Sequence, residues 1–189
     1  EEVYKFIKEK GFFSFIIPKK YGGLEFSPLG LIYVMAKLGS RSGTAASMVG
    51  VPNSLGPAEL LMHYGTDEQK EELLPKLASG EHVPCFALTG PYAGSDATSM
   101  PDTGIVCKGE FEGEEIIGIK LNFSKRYITL APIATLIGLA FKMHDPDHLI
   151  GEVDDYGITC ALLPKGLKGL ETGRRHIPIG NPFMNGTIT

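Results

Sequence analysis

The chain contains no tryptophan, only three cysteines and no long apolar run. Cys85, Cys107 and Cys160 stand far apart without a CxxC pair, which favours reduced thiols of a cytosolic protein over a disulfide or metal framework. No stretch of about 18 apolar residues is present, so the sequence predicts no membrane span. Acidic residues outnumber basic ones by 22 to 18. Nucleic-acid binding is therefore disfavoured, because a phosphate backbone requires a basic face.

Several nucleotide-binding and catalytic signatures are also missing. The sequence has no GxGxxG and no GxxxxGK followed by serine or threonine, so neither the Rossmann fingerprint nor a P-loop is present. Arg41 stands where a nucleophile elbow requires serine. His144 and His148 have a spacing seen in metal sites, but Pro146 between them favours a solvated turn, and we predict no metal centre.

The first part of the chain has the pattern of helices. Ser27 and Pro28 form a helix start, with a hydroxyl cap followed by proline at the first helical position. Thr66 and Gln69 form a capping box, in which each side chain serves the other's backbone amide. Apolar periodicity and small-residue runs complete the set. The predicted helices cover residues 1–10, 28–39, 40–50 and 66–79.

The pattern changes near His82, where short β-branched and aromatic runs begin. Glu112 and Gly113 lie between two such runs and predict a hairpin turn. We therefore predict an α+β fold, with a helical domain in residues 1–81 and a small antiparallel β-barrel or sandwich in residues 82–189. The strand candidates are residues 83–88, 105–111, 116–121, 127–130, 133–141 and 158–163.

One loop has the composition of a ligand-binding segment. Residues 86–96 leave a predicted strand and enter a run of small residues, where backbone amides can approach a ligand closely. Gly94 permits backbone angles that other residues avoid, and Thr89 and Ser95 add hydroxyl groups. The segment is a candidate anion- or cofactor-binding loop, and an ordinary exit from a strand is the alternative.

Two segments resemble the acyl-CoA dehydrogenase family. Phe86-Ala87-Leu88-Thr89-Gly90-Pro91-Tyr92-Ala93-Gly94-Ser95-Asp96 resembles its flavin-binding signature, and Asn122-Phe123-Ser124-Lys125-Arg126-Tyr127-Ile128-Thr129 resembles its second flavin-binding element. Tyr21-Gly22-Gly23 is similar to a turn of the family's N-terminal helical domain. Two segments resemble the long bacterial type of the family, which begins fatty-acid β-oxidation: Lys125-Arg126-Tyr127-Ile128-Thr129-Leu130-Ala131-Pro132 and Gly173-Arg174-Arg175-His176.

The resemblance implies a site for FAD. Thr89 is expected to bind the flavin pyrimidine edge, Tyr127 to stack on the flavin ring, and Thr129 to direct its hydroxyl to N5. Ser95 is expected near the cofactor pyrophosphate and also near the acyl-CoA substrate. The implied cofactor-binding residues are Phe86, Ala87, Leu88, Thr89, Gly94, Ser95, Tyr127, Ile128 and Thr129.

The sequence departs from the family pattern at three positions. Gly90 replaces a frequent glutamate, Phe123 replaces glycine and Tyr127 replaces tryptophan. Tyrosine retains an aromatic face for stacking, with less area.

The resemblance also implies the reaction and its partners. A fatty acyl-CoA is oxidised to trans-2-enoyl-CoA, and electrons pass to an electron-transfer flavoprotein. The catalytic glutamate of the family belongs to a C-terminal helical bundle that this chain does not contain. We therefore assign no catalytic residue here and expect the chain by itself to be inactive. The implied protein is a bacterial cytoplasmic homo-oligomer, and peripheral membrane association is compatible with it. An acyl-CoA oxidase that uses oxygen and a non-redox binding module are the alternatives.

The basic segment Arg174-Arg175-His176 leaves two interpretations open. It is either a solvated loop or a contact to ligand phosphates or a neighbouring subunit. His63, His82 and His176 are each predicted to be structural or surface residues.

Overall fold

The structure, a computed structural model, describes residues 2–54, 56–180 and 182–189. Helices occupy the first part of the described chain and two β-sheets the rest, as the predicted α+β fold requires. The helices are α1 (Glu2–Glu9), α2 (Pro28–Gly39), α3 (Gly43–Gly50), α4 (Pro57–Tyr64) and α5 (Asp67–Ala78). The strands are β1 (Pro84–Ala87), β2 (Thr103–Phe111), β3 (Glu114–Asn122), β4 (Lys125–Thr129), β5 (Leu136–His144), β6 (Asp155–Pro164), β7 (Thr172–Arg175) and β8 (Asn185–Ile188).

The helix starts that the sequence indicates are confirmed by their caps. The Ser27 hydroxyl accepts from the Gly30 amide at 3.2 Å at the start of α2. Thr66 and Gln69 form both bonds of the capping box that opens α5, at 3.0 and 3.2 Å. These caps satisfy amides that have no partner within the helix.

Helix α4 was not predicted from the sequence. Its start signal, Pro57 at the first helical position, is present, but the helix has only eight residues. Its stability comes from burial of Ala58 and Leu61 against α5 and β5, which a local pattern does not reveal.

The first sheet contains five strands, with β5 at its centre. β6 pairs antiparallel along one edge of β5, while β1 and the start of β2 share the other edge. Both strands on this second edge run parallel to β5. The sheet is therefore mixed, whereas the sequence predicted a purely antiparallel one. The reason is burial: β5 is covered on both faces along most of its length, a pattern typical of parallel strands.

The predicted hairpin joins β2 and β3. Glu112 and Gly113 both have positive φ angles, 52° and 86°, as a two-residue type I′ turn requires. The full register from Thr103 opposite Asn122 to Phe111 opposite Glu114 follows from this turn.

The second sheet has the order β4-β8-β7 and is antiparallel. The core lies between the two sheets, where Leu139 and Phe141 of the first sheet pack with Ile128 and Ile188 of the second. Within the described residues, no helix has the length and apolar character needed to cross a bilayer.

Candidate cofactor-binding site

The two motif segments lie side by side in the fold. The Arg126 amide donates to the Thr89 carbonyl oxygen at 2.9 Å. The neighbouring Lys125 ammonium donates to the Leu88 carbonyl oxygen at 3.0 Å. The end of β1 is therefore bonded to the beginning of β4, although 37 positions separate Leu88 from Lys125.

A buried ion pair holds this junction. Lys125 is fully buried and its Nζ lies 2.6 Å from Oδ2 of Asp102. The other carboxylate oxygen, Oδ1, accepts from the Ser124 amide at 2.9 Å. Because each charge has its partner and further hydrogen bonds, the pair is tolerated in the core and joins the ends of β1, β2 and β4.

The loop after β1 is fastened to the sheet by apolar contacts. Ala93 and Met100 are buried, and the half-buried Phe86 and Leu88 pack against them. The loop closes on itself through a hydrogen bond from the Gly90 amide to the Ala93 carbonyl oxygen at 3.2 Å. Phe86 and Leu88 thus support the loop on which Thr89 and Ser95 lie.

Gly94 does not have the left-handed conformation that its type permits. It is absent from the glycines with positive φ, and an added Cβ would meet no atom within 4 Å. Gly94 can therefore contribute to ligand binding only through its exposed backbone, because no strained turn is present there.

Asp96 stabilises the loop through hydroxyl groups. One oxygen accepts from Thr98 Oγ1 at 2.6 Å, and the other accepts from the Ser99 hydroxyl. These bonds, the one from Ser99 first, hold the pKa of the Asp96 carboxyl below its ordinary value. The carboxylate is thus engaged within its own loop.

The loop presents unused hydrogen-bond donors. Among the contacts of the described residues, the amides of Thr89, Gly94 and Ser95 donate to no protein acceptor. The hydroxyls of Thr89 and Ser95 are likewise without a protein partner in the described part of the chain, and Ser95 is exposed. Such a set of donors fits the carbonyl and phosphate oxygens of a dinucleotide such as FAD.

The predicted residues of β4 fall into two groups. The Ile128 side chain belongs to the core, as does that of Ala87 on β1, so either residue can reach a ligand only through its backbone. Tyr127 is 58% exposed, and its ring lies 4.6 Å from that of His176. Its backbone has a φ of 57°, at an irregularity of the pairing between β4 and β8.

Thr129 ends β4 at the wall of an apolar cavity of about 340 Å³. Leu31 and Met35 of α2, Val51 at the end of α3, and Phe183 line the same cavity. The cavity therefore places the Thr129 side chain next to space that suits an apolar chain. A larger cavity of about 600 Å³ adjoins α1 and α3, and Phe183 lines both.

Sequence reasoning missed several residues of the site. Lys125 lies in the second motif segment, where the sequence indicates no role for it, and no sequence pattern points to Asp102 or Asn185. The Asn185 amide group donates to the Tyr127 carbonyl oxygen at 3.0 Å and contacts Thr129 Oγ1 at 3.3 Å. The sequence signal nearest to Asn185 is the strand-like pattern of Gly186-Thr187-Ile188-Thr189.

The two arginines of the basic segment lie on a strand, whereas His176 follows the strand. Arg174 and Arg175 are exposed on β7, and His176, which follows it, contacts Tyr127 and Asn185. His148, one of the two histidines with metal-site spacing, has its Nε2 atom 2.9 Å from Asp154 Oδ1. Within the described residues, no three His, Cys, Asp or Glu side chains converge as a metal site would require.

Comparison with protein families matches the two parts of the chain separately. Residues 1–81 match the acyl-CoA dehydrogenase N-terminal domain, and residues 85–188 match the acyl-CoA dehydrogenase middle domain. The chain belongs to the acyl-CoA dehydrogenase family. Both motif segments lie within the part that matches the family's middle domain.

Relatives in this family cover nearly all of the chain. An acyl-CoA dehydrogenase of Bacillus subtilis is 28% identical over 95% of this chain and 43% of its own length. A 3-(aryl)acrylate reductase of Clostridium sporogenes is 38% identical over 95% of this chain and 44% of its own. The crystal structure of a Bacillus anthracis acyl-CoA dehydrogenase complexed with FAD superimposes with a TM-score of 0.79 at 26% identity, over 97% of this chain and 29% of the other. The chain thus spans less than half the length of these relatives, and FAD is the cofactor of the family.

Proposed function

We propose that the natural protein containing this chain is an FAD-dependent acyl-CoA dehydrogenase that oxidises fatty acyl-CoA to trans-2-enoyl-CoA. The observation that carries the proposal is the junction of the two motif segments, in which Arg126 donates to Thr89 and Lys125 donates to Leu88. This junction joins the donor loop of residues 89–96 to the start of β4, the strand that also carries Tyr127 and Thr129. Family membership supports the same cofactor and reaction class.

Each site residue is proposed to have the role that the family resemblance implies, and its exposure or free donors support that role. The Thr89 amide and hydroxyl bind the flavin pyrimidine edge, and the exposed Ser95 binds near the pyrophosphate and the acyl-CoA. The exposed Tyr127 ring provides an aromatic surface. FAD, when bound, supplies the hydride acceptor.

The apolar cavity beside Thr129 is proposed to receive the acyl chain. Its walls come from Leu31, Met35 and Phe183, so a fatty chain there removes apolar surface from water. Thr129 contributes a hydroxyl group to this wall, and this hydroxyl is proposed to face the cofactor. No acidic residue of the chain is assigned as the base, which the resemblance places in the family's C-terminal helical bundle.

The test is an absorbance spectrum of the natural protein, followed by anaerobic addition of a long-chain acyl-CoA. We expect a flavin spectrum that bleaches on addition of the thioester. A flavin band that never bleaches would contradict the substrate, and absence of flavin after reconstitution would contradict the cofactor. Rapid oxygen consumption with peroxide release would indicate an oxidase instead of a dehydrogenase that uses an electron-transfer flavoprotein.

A matched pair of variants connects the spectrum to the site. Tyr127→Leu removes the aromatic surface, and we expect FAD binding to weaken roughly tenfold. Tyr64→Leu alters a tyrosine that is 84% exposed at the end of α4, and FAD binding should be unchanged. Equal effects of the two substitutions would argue against the proposed site.

A further inference from the structure

Asn185 is a buried amide between two strands of the second sheet. Asn185 is the first residue of β8 and is only 3% exposed to solvent. Nδ2 lies 3.0 Å from the Tyr127 carbonyl oxygen and 3.3 Å from Thr129 Oγ1, both on β4. The two hydrogens of a single amide group therefore serve the two β4 residues of the candidate site.

The orientation of this amide is set by its partners. A backbone carbonyl only accepts hydrogen bonds, so the Tyr127 oxygen requires the nitrogen of the Asn185 amide on its side. Oδ1 then faces Nδ1 of His176, 3.2 Å away. Because Oδ1 only accepts, His176 carries a hydrogen on Nδ1. The His176 backbone amide also donates to the Asn185 carbonyl oxygen at 2.9 Å, which keeps the two residues in register.

The amide in turn decides what the Thr129 hydroxyl can do. A hydroxyl has one hydrogen to donate and two lone pairs to accept. Since Nδ2 of Asn185 occupies a lone pair of Thr129 Oγ1, the hydroxyl hydrogen remains free to donate to an acceptor atom of a bound ligand.

We infer that Asn185 is a positioning residue that makes the Thr129 hydroxyl a donor toward the flavin, and that His176 holds the Asn185 amide in the required orientation. The inference rests on the proposed function, because it assumes that FAD binds beside Thr129. Asn185 and His176 would then orient Thr129, the residue that faces the cofactor, without contacting the cofactor themselves.

The first experiment is a double-mutant cycle on FAD affinity in the natural protein. The variants are Asn185→Ala, Thr129→Val and the combination of both. We expect each single substitution to weaken FAD binding about fivefold, the effect of one hydrogen bond. The double variant should also be about fivefold weaker, since Asn185 acts through the hydroxyl that Thr129→Val removes. A loss of about 25-fold would show independent effects and overturn the inference.

A second pair of variants keeps the test decisive if Asn185→Ala folds poorly. His176→Asn retains an N–H donor near the position of Nδ1, whereas His176→Phe retains a ring against Tyr127 and loses the donor. We expect FAD affinity within about twofold of the parent for His176→Asn and about fivefold weaker for His176→Phe. The reverse order would show that ring contact, and not orientation of the amide, is what matters.

The failure of the inference and that of the proposed function are distinguishable. If the parent protein binds no FAD, the proposed function fails before any variant is compared. If the parent binds FAD and both variant series show independent effects or the reverse order, the function stands and the positioning role of Asn185 is rejected.

Discussion

The ammonium of Lys125 lies 2.6 Å from Oδ2 of Asp102, and neither side chain has more than marginal contact with solvent. Lys125 also donates to the Leu88 carbonyl oxygen, so one buried charge connects the two segments that carry the family motifs. Its partner Asp102 binds the Ser124 amide with the remaining oxygen. The loop of residues 89–96 is thus anchored by an electrostatic contact that the surrounding core isolates from water.

Breaking this pair should destabilise the protein strongly. Lys125→Met leaves the Asp102 carboxylate buried without its partner, and we expect a loss of about 3–5 kcal/mol in the free energy of unfolding. Urea denaturation of the natural protein measures the loss. Lys76→Met is the control, because the ion pair of Lys76 with Glu72 is solvent-exposed, and its loss should cost less than about 1 kcal/mol. Comparable losses for the two variants would contradict the role of Lys125.

Two glycines of β2 should differ in their response to alanine. A Cβ on Gly104 would overlap the ring of the buried Phe141 and lie 2.8 Å from Ile119 Cγ2. We expect Gly104→Ala to lower the free energy of unfolding by about 1–3 kcal/mol. A Cβ on Gly109 would meet no atom within 4 Å, so Gly109→Ala should be neutral or slightly stabilising. Thermal unfolding compares them, and equal effects would argue against the packing of Phe141 on β2.

Cys85 should be unreactive in the folded protein. Burial raises the pKa of its thiol to about 12, so at pH 8 only about one molecule in 10⁴ carries the thiolate. We expect a thiol reagent to modify the exposed Cys160 while Cys85 reacts only after unfolding. Mass spectrometry of the labelled peptides shows which cysteine is modified first, and early modification of Cys85 would contradict its burial.

The same shift predicts a pH dependence of stability. Between the ordinary thiol pKa of 9.0 and the folded pKa of about 12, the unfolded chain loses the Cys85 proton while the folded chain retains it. The unfolded state binds fewer protons in this range, so stability falls as pH rises above 9. Denaturant titrations at several alkaline pH values should show a shallower decline for Cys85→Ala than for the parent. An unchanged slope would show that Cys85 does not contribute.

Phe183 should influence the preferred acyl length, if the proposed function holds. It lines both the cavity of about 340 Å³ beside Thr129 and the larger one of about 600 Å³. Phe183→Ala removes the ring that lines both spaces, and we expect the ratio of kcat/KM for long over short acyl-CoA substrates to rise. Phe111→Ala, which alters a residue 51% exposed at the hairpin end, is the control and should leave the ratio unchanged. An unchanged ratio for Phe183→Ala would place the acyl chain elsewhere.

Elements that depend on neighbouring residues were predictable from the sequence. The capping box at Thr66 and the hairpin turn at Glu112 and Gly113 were both present as expected. Each depends on backbone hydrogen bonds and φ angles within a few positions, and side-chain type restricts these directly. The order of helices before strands, and the two motif segments, were likewise readable from local residue patterns.

Only the tertiary structure determined the contacts between positions that are distant in the sequence. The parallel pairing of β1 with β5, the burial of Lys125 with Asp102, and the approach of Asn185 to Thr129 join residues that are 23 to 56 positions apart along the chain. Their free energy depends on the shape of the whole core, since a charge or an amide is stable there only with its partner in place. The sequence by itself determined the helix caps, the hairpin and the family motifs, whereas packing of the two sheets determined which side chains meet at the site.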